Sequence, residues 1–300
     1  MRETEIIHRI RQLAHESRRD PSIIKTIGDD AAIVRPRAGE DLVFTSDFVL
    51  EGRHFTLDTH KPGDIGHKAL ARSLSDLAAM GSEPVFCLVA LAVPATLRSS
   101  WIDHFYNGLL ALAARCKITL AGGDLARFEK IAVDVTCCGR VPRGKALLRG
   151  GAKPGDRIYV TGELGASAHG FATKRGAAWR RHLRPEPRIA AGIALRKLGI
   201  SSCMDLSDGL SLDLARLCTE SGVSAEIGPA LPVAPHASLD EALHGGEDYE
   251  LLFTASSRIK IRGEIAGLPV TTIGVIASDH PGQVRFDARI LRPKGFDHFA

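Results

Sequence analysis

The alternation of apolar and polar positions predicts a chain in which strands and helices follow one another. Runs rich in Val, Ile and Leu predict strands, and apolar residues three or four positions apart predict amphipathic helices. The predicted strands are 42–45, 84–93, 118–120, 131–141, 157–160 and 249–254. The predicted helices are an N-terminal one carrying Ile6, Ile7, Ile10 and Leu13, then 64–80, 97–116, 162–173, 185–198 and 208–220. This order indicates an α/β or mixed α+β fold.

A run of glycines near the middle of the chain suggests a domain boundary. The stretch from Gly150 to Gly155 contains three Gly and Pro154, which interrupt regular structure. A chain of 300 residues is long enough for two domains of ordinary size. We therefore expect an N-terminal domain over 1–149 and a C-terminal α/β domain over 150–300.

Composition narrows the class of protein. The chain is 44% hydrophobic and 25% charged, its net charge is only +4, and no apolar run is long enough to span a membrane. The charged N-terminus lacks the apolar core of a secretory signal. The six Cys form no C-x-x-C pair, and most lie in apolar surroundings, which favours buried thiols in a cytoplasmic protein. Basic residues do not interleave with aromatic ones, so we expect neither nucleic-acid nor membrane binding.

The stretch GRVPRGKA, from Gly139 to Ala146, is similar to a phosphate-binding P-loop. A P-loop needs Ser or Thr after its Lys to bind Mg²⁺, and it must open a helix. Ala146 has no hydroxyl, and the glycines that follow disfavour a helix. If the chain binds ATP, it does so by other chemistry.

Asp residues stand beside Gly or Ser in five segments: Gly28-Asp29-Asp30, Ser46-Asp47, Ser75-Asp76, Gly122-Gly123-Asp124 and Asp205-Leu206-Ser207-Asp208-Gly209. Several segments lie at predicted strand ends or helix starts, where α/β folds build their sites. Mg²⁺ is commonly shared between protein carboxylates and substrate phosphates. Each Asp taken alone also fits a helix cap or a turn residue, and the sequence does not establish that the five segments meet.

Taken together, these and neighbouring segments resemble the thiamine-monophosphate kinase family. The segments that carry the resemblance are IGDDAA (27–32), TSDFVLEGRHF (45–55), DIGHKALARSLSDLAAMGSEP (64–84), AGGD (121–124), GRVPRGKALLRGGAKPGD (139–156), MDLSDGLSLDL (204–214), GGEDYELLFT (245–254) and GFDHF (295–299). Their order and spacing fit the family from end to end.

The resemblance implies a two-domain fold of the aminoimidazole-ribonucleotide-synthetase type. It implies a homodimer in which the N-terminal domains share a β-barrel. It also implies the reaction, in which ATP phosphorylates thiamine monophosphate to thiamine diphosphate with the help of several Mg²⁺ ions. We expect the phosphoryl group to pass directly, in line, from one phosphate to another.

The resemblance also implies roles for individual residues. The implied metal ligands are Asp30, Thr45, Ser46, Asp47, Asp76, Asp124, Asp205 and Asp208. The implied ATP contacts are Gly123, Asp124, Arg149 and Ser207, and the implied contacts to thiamine monophosphate are His54, Glu247 and Phe296. Asp47, Asp124 and Arg149 are the expected catalytic residues, so Arg149 would take the place of a P-loop Lys.

One departure from the family pattern is visible, because Leu125 and Ala126 replace two Thr that usually follow the GGD segment. Three alternative functions stay open at this point. One is another ATP-using enzyme of the same superfamily, although the Cys expected of a selenophosphate synthetase or of a hydrogenase-maturation dehydratase is missing. The others are a non-catalytic Mg-nucleotide-binding module and a metal phosphohydrolase in which water replaces the acceptor.

Overall fold

The structure is a computed structural model that describes residues 3–15, 20–27 and 31–295. The chain divides into two compact units. The first unit consists of Met1–Leu77 and Glu83–Gly144, and the second of Ala78–Ser82 and Lys145–Ala300. The first unit ends at Gly144 and the second continues from Lys145, shortly before the glycine-rich stretch 150–155.

The described part of the first unit contains a mixed four-stranded sheet and three helices. The helices are α1 (Glu3–His15), α2 (Pro62–Ala79) and α3 (Ser99–Cys116). The strands are β1 (Ile23–Lys25), β2 (Ile33–Val34), β3 (Glu40–Leu50), β4 (Glu83–Val93), β5 (Thr119–Arg127) and β6 (Ala132–Pro142). The sheet order is β3-β6-β4-β5, with β5 parallel to β4 and the other pairs antiparallel, while β1 and β2 form a separate pair.

Strand β3 has two different faces because successive side chains point to opposite sides of a sheet. On one face Val49 is fully buried, and Thr45 hydrogen-bonds Asp76 of α2. On the other face Phe44 and Phe48 remain 61% and 58% exposed. We call this second side of the four-stranded sheet, defined by Phe44, Ser46 and Phe48 of β3, the open face.

The second unit, as far as Gly295, is built on a larger sheet with five helices. The strands are β7 (Arg157–Thr161), β8 (Ser202–Asp205), β9 (Ser224–Ile227), β10 (Leu251–Ala255), β11 (Glu264–Ile265), β12 (Leu268–Ala277), β13 (Val284–Phe286) and β14 (Arg289–Ile290). The helices are α4 (Ala166–Thr173), α5 (Gly176–Leu183), α6 (Ile189–Leu198), α7 (Leu210–Ser221) and α8 (Leu239–His244). The sheet order is β14-β13-β9-β12-β7-β10-β8, and β11 pairs with β12.

Both faces of this sheet are buried at β10, which explains the apolar run from Leu251 to Phe253. Leu251 and Phe253 pack with Leu195 of α6 in one core, whereas Leu252 packs with Leu214 of α7 in a second core. A strand covered on both sides needs apolar residues at every position rather than at alternate ones.

The predicted α/β class is confirmed, but several predicted bounds are wrong. Strands β3 and β5 continue well beyond the predicted 42–45 and 118–120, so Ser46, Asp47 and Asp124 lie within strands rather than after them. The sequence hides these extensions because polar residues stand on both faces of β3 and interrupt its apolar pattern. Helix α5 was not predicted, since its sequence GAAWRRHL has little apolar character.

The cysteine thiols and the segment after Lys145 agree with the sequence predictions. The cysteines Cys87, Cys137, Cys138, Cys203 and Cys218 are buried, as predicted, and Cys116 is partly exposed. As also predicted, no helix begins directly after Lys145. The next regular element is the strand β7. None of the helices within 3–15, 20–27 and 31–295 has a stretch long and apolar enough to cross a membrane.

Helices α2 and α3 approach so closely that glycine is required where they touch. A Cβ added at Gly108 would lie 2.0 Å from the carbonyl oxygen of Gly63, and one added at Gly66 would lie 2.0 Å from that of Phe105. These atoms belong to backbone, so they cannot move aside as a flexible side chain would.

We predict that Gly108→Ala lowers the free energy of unfolding by about 2 kcal/mol or more, because the overlap outweighs the better helix propensity of Ala. Urea denaturation followed by circular dichroism measures this change. Gly228→Ala is the control, since a Cβ there meets nothing within 4 Å and Gly228 has no positive φ. Equal effects of the two substitutions would contradict the close packing of α2 on α3.

Candidate active site

Strand β3 and helix α2 enclose three of the predicted metal ligands. The Thr45 hydroxyl donates to the Asp76 carboxylate on α2. Asp47 lies two residues further along the same face, with its Oδ1 3.9 Å from Nη2 of Arg72 on α2. Ser73, the next residue of α2, donates to the carbonyl oxygen of Val135 and so ties the helix to the sheet.

The Asp47 carboxylate is incompletely satisfied. Among the residues that the structure describes, none hydrogen-bonds its Oδ2, which is shielded from solvent. Burial raises the pKa of Asp47, and the nearby charge of Asp134 raises it further, although Arg72 and Ser73 act in the opposite direction. A shielded carboxylate oxygen without a donor suits a cation, because a charge removed from water needs a partner of opposite charge.

The open face carries a different set of polar groups. Ser46 Oγ donates to Asp134 Oδ2 at 2.9 Å and lies 3.0 Å from the hydroxyl of Thr136. Asp134 and Asp124 are the register partners of Ala90 on either side of β4, so both carboxylates belong to the open face. The structure therefore places Ser46 and Asp124 on one face of the sheet and Asp47 on the other.

A cavity of about 870 Å³ lies over the β4–β5 side of the open face. Its polar wall includes Gly122, Gly123, Asp124, Asp134 and Thr136. Its apolar wall consists of side chains from α1, β2 and β4 and the segment before β2, among them Ile7, Ile10, Ile27, Ala32, Val34, Phe86 and Leu88. A cavity with one polar wall and one apolar wall accommodates an apolar ring at one side and polar or ionic groups at the other.

Gly123 is required by the geometry of this wall. Its φ is +153°, and an added Cβ would lie 1.9 Å from the carbonyl oxygen of Val89 on β4. Any side chain would push β5 away from β4 and move Asp124, the next residue.

His54 lies in the first unit, in the turn that follows β3. Its Nδ1 accepts a hydrogen bond from the backbone N–H of Leu50 at 3.0 Å, and the side chain is buried. Because Nδ1 is the acceptor, the ring proton of neutral His54 is on Nε2.

In the second unit, two loops that carry predicted site residues are hydrogen-bonded side by side. The N–H of Glu247 donates to the carbonyl oxygen of Ser207 at 2.7 Å, and that of Tyr249 donates to Leu206 at 2.9 Å. An added Cβ at Gly246 would lie 2.7 Å from the Ser207 oxygen. The contact brings together Asp205 at the end of β8, Ser207 and Asp208 before α7, and Glu247.

The Asp208 carboxylate is paired with a cation of the helix that follows it, α7. Arg216 Nη1 donates to Asp208 Oδ2 and, at 3.1 Å, to Asp213 Oδ1. Asp213 also accepts from the N–H groups of Asp208 and Gly209, at 3.0 and 3.1 Å, and thereby fixes the loop. Burial raises the pKa of Asp213 to about 6 despite these bonds.

The three acidic residues of the segment Glu247–Glu250 have different surroundings. Asp248 is buried and accepts from the N–H groups of Gly165 (2.6 Å) and Ser167 (3.1 Å) at the start of α4. Glu250 is fully buried and accepts from Thr161, Arg181 and Arg188. Glu247 is partly exposed, and its Oε2 lies 3.3 Å from Nδ1 of His182.

The remaining predicted site residues do not join a preformed cluster. Arg149 is exposed in the second unit, where its carbonyl oxygen accepts from Ser221 Oγ. Within the described part of the chain, no three His, Cys, Asp or Glu side chains lie close enough to hold a metal ion. Asp30 and Phe296 lie outside the described residues.

Sequence reasoning missed Asp134, Asp213 and His182. For Asp134 and Asp213 the sequence contains a signal that could have found them. Asp134 alternates with Val133 and Val135, which is typical of a strand with one open face. Asp213 falls on the apolar stripe of Leu210, Leu214 and Leu217, where an acid must be buried. No comparable signal marks His182.

Comparison with known proteins relates both halves of the chain to one class. The AIR synthase related protein, N-terminal domain, family matches residues 28–141, and the corresponding C-terminal domain family matches residues 153–261. The chain therefore has the two-domain α/β fold of the AIR synthase related proteins, which confirms that part of the fold prediction.

Individual relatives identify one family within the AIR synthase related proteins. The thiamine-monophosphate kinase of Escherichia coli strain K12 is 39% identical over 301 residues, covering 91% of each chain. The crystal structure of the thiamine-monophosphate kinase from Stenotrophomonas maltophilia K279a has a TM-score of 0.85 at 37% identity and covers 97% of this chain and 98% of its own. A structure described as "AaThiL complexed with AMPPCP and TMP" has a TM-score of 0.80 at 31% identity, with 100% and 99% covered. The chain belongs to the thiamine-monophosphate kinase family.

The buried Asp248 predicts a pH dependence of stability. Burial raises its pKa from 3.8 to about 6, so the folded state binds more protons than the unfolded state between these values. The stabilisation is complete below pH 3.8 and is lost as the pH rises through about 6, with a total on the order of 3 kcal/mol.

Asn does not titrate, so we predict that Asp248→Asn flattens the fall in unfolding free energy between pH 4 and 6. Urea denaturation at several pH values measures the slopes. Asp213 titrates in the same range in both proteins, so the difference between them isolates Asp248. The exposed Asp287, replaced by Asn, is the control. Parallel curves for wild type and Asp248→Asn would contradict the burial of a titrating carboxyl.

Proposed function

We propose that the chain transfers the γ-phosphoryl group of ATP to thiamine monophosphate, giving thiamine diphosphate and ADP. The observation that carries the proposal is the family relationship over nearly the full chain, which includes the relative described with AMPPCP and TMP. AMPPCP is an ATP analogue, and we read TMP as thiamine monophosphate.

The acceptor needs little chemical activation. The second pKa of a phosphate monoester is about 6, so its oxygen is already ionised at neutral pH and requires no general base. Positioning and electrostatic stabilisation then supply most of the rate enhancement. This agrees with the proposed metal ligands and catalytic residues, which consist of carboxylates, hydroxyls and one Arg. We propose direct in-line transfer without a phosphorylated protein side chain.

The donor set suits Mg²⁺. The proposed ligands Thr45, Ser46, Asp47, Asp76, Asp124, Asp205 and Asp208 offer only oxygen atoms, which Mg²⁺ prefers, and Asp30 would add another. The shielded and unpartnered Oδ2 of Asp47 is the feature that most directly supports a cation there. When bound, Mg²⁺ neutralises phosphate charge and orients phosphate oxygens. Asp76 would hold Thr45 in place, and Asp134 would do the same for Ser46.

We propose Gly123, Asp124, Arg149 and Ser207 as the ATP contacts. In the first unit, Gly123 and Asp124 line the 870 Å³ cavity, whose apolar side suits a purine ring. In the second unit, we propose that Arg149 adds charge stabilisation through its guanidinium, because the planar group binds phosphate oxygens in pairs. Ser207 would contact ATP from the loop before α7. Leu125 and Ala126 offer no side-chain hydroxyl next to Asp124.

For thiamine monophosphate we propose His54, Glu247 and Phe296 as contacts. A carboxylate such as Glu247 would offset the positive charge of the thiazolium ring, and an aromatic face such as Phe296 would stack on a cationic ring. His54, with its ring proton on Nε2, would donate a hydrogen bond.

We further propose that two copies pair through the open face of the first unit, with 1–149 acting as the ATP- and metal-binding and dimerisation domain and 150–300 as the second α/β domain. Phe44, Phe48 and Ile33 are exposed apolar residues of the first unit, and β3 is an 11-residue strand at the edge of its sheet. Long apolar edge strands are prone to pair with another chain. A barrel shared by two copies would satisfy that edge.

We predict that Asp47→Asn reduces turnover at least about a thousandfold, because a neutral amide oxygen binds Mg²⁺ much more weakly than a carboxylate and does not balance its charge. The thermal midpoint should stay the same or rise, since burial already disfavours the charged form of Asp47. Steady-state kinetics and calorimetry measure the two effects. Asp41→Asn, at an exposed position of the same strand, is the matched control. Near-normal turnover of Asp47→Asn would remove Asp47 from the site.

The reaction itself is tested by incubating the purified protein with ATP, Mg²⁺ and thiamine monophosphate and resolving the products by chromatography. We expect thiamine diphosphate and ADP in equal amounts. ADP with free phosphate but no thiamine diphosphate would indicate a phosphohydrolase instead. No consumption of ATP would indicate a nucleotide-binding module.

A further inference from the structure

His182 is a buried histidine that none of the proposed roles uses. It lies in the last turn of α5 and is only 5% exposed. Its Nδ1 lies 3.3 Å from Oε2 of Glu247 and 2.9 Å from Oγ of Ser167 on α4. One ring nitrogen is therefore directed at two polar groups, one of which is a proposed contact of the substrate.

The imidazole is held in this orientation by aromatic neighbours. The ring of Trp179, one turn earlier on α5, stacks on it with a centroid distance of 5.2 Å and an interplanar angle of 12°. Phe171 of α4 lies at a centroid distance of 5.1 Å. A buried ring packed in this way has little freedom to rotate, so the direction of its Nδ1 is set by the fold.

The backbone of Glu247 is fixed independently. Its N–H donates to Ser207, its φ is +64°, and the adjacent Asp248 is anchored to the N–H groups that begin α4. A Glu side chain has three further torsions, and the backbone contacts do not restrain them. The contact with His182 restrains the carboxylate itself.

Ser167 links the two restraints. Its N–H donates to Asp248, and its hydroxyl contacts His182, so the residue that anchors the loop also orients the imidazole. Helices α4 and α5 pack closely enough to keep this geometry, since an added Cβ at Gly170 would lie 2.2 Å from the carbonyl oxygen of Ala178.

We propose that His182 is a positioning residue that holds the Glu247 carboxylate toward the cationic ring of the substrate. This inference rests on the proposed function, because it takes Glu247 as the group that contacts thiamine monophosphate. His182 does not touch the substrate in this account. His182 restricts the side-chain torsions of Glu247 before the substrate binds, so less conformational entropy is lost on binding. Substrate affinity therefore improves, and the phosphoryl-transfer step is unchanged.

The test compares variants by steady-state kinetics with each substrate varied separately. His182→Phe keeps a ring to stack on Trp179 but removes both ring nitrogens. We expect it to raise the KM for thiamine monophosphate about tenfold, while kcat and the KM for ATP stay within about twofold. His182→Asn, whose amide reaches the position of Nδ1, should recover most of the loss. His169→Phe is the matched control, because His169 also faces a carboxylate, Glu241, at 3.6 Å.

A second step asks whether His182 acts through Glu247. In a Glu247→Ala background nothing remains to be oriented, so His182→Phe should have no further effect on the KM for thiamine monophosphate. An equal effect with and without Glu247, or no effect in the otherwise wild-type chain, would overturn the inference. A uniform fall in kcat and thermal midpoint would reduce His182 to a packing residue. Absence of thiamine diphosphate from the wild type would instead overturn the proposed function, and this inference with it.

Discussion

The cost of burying a carboxylate is the constraint on which both units depend. A charged group withdrawn from water must find partners within the protein, or its pKa shifts until it is neutral. Glu250 meets this requirement with Thr161 and two Arg. Asp248 accepts from two backbone N–H groups and meets it only in part, since burial still raises its pKa to about 6. Asp47 does not meet it among the described residues, because its shielded Oδ2 has no donor. That unmet requirement distinguishes a candidate metal ligand from acids that only hold the fold together.

The alternation of side chains along strand β3 determines which candidate site residues lie on each face of the first unit's sheet. Thr45 and Asp47 face α2, whereas Ser46 faces Asp134 and Thr136 on the open face. Adjacent residues of one strand therefore serve two sides of a sheet. The side against α2 provides the partly exposed carboxylates of Asp47 and Asp76, of which Oδ2 of Asp47 is shielded from solvent. The open side provides a cavity with Asp124 and Asp134 in its wall. In the second unit, the hydrogen-bonded loops that contain Ser207 and Glu247 bring candidate site residues from separate segments of the chain together.

The sequence was sufficient for the class of fold, the family and the segments that contain the candidate site. It was sufficient because apolar periodicity and short motifs are local properties. The strand bounds around Asp47 and Asp124 were wrong, since polar residues inside a strand, such as Ser46, Asp47 and Asp124, resemble the start of a loop. Helix α5 and the contact of His182 with Glu247 depend on packing between segments 65 residues apart in the chain, which no local pattern encodes. Likewise, the pairing of Asp208 with Arg216 and Asp213 follows from which face of α7 is buried.

The central claim is that phosphate passes directly from ATP to an acceptor phosphate that needs no base and no phosphorylated intermediate. The most direct test is the stereochemical course at phosphorus, measured with ATP made chiral at its γ-thiophosphate by oxygen isotopes. A single in-line displacement inverts the configuration, so the account predicts inversion in the thiamine diphosphate analogue formed. Retention would require two displacements through a phosphorylated residue of the protein and would contradict the account.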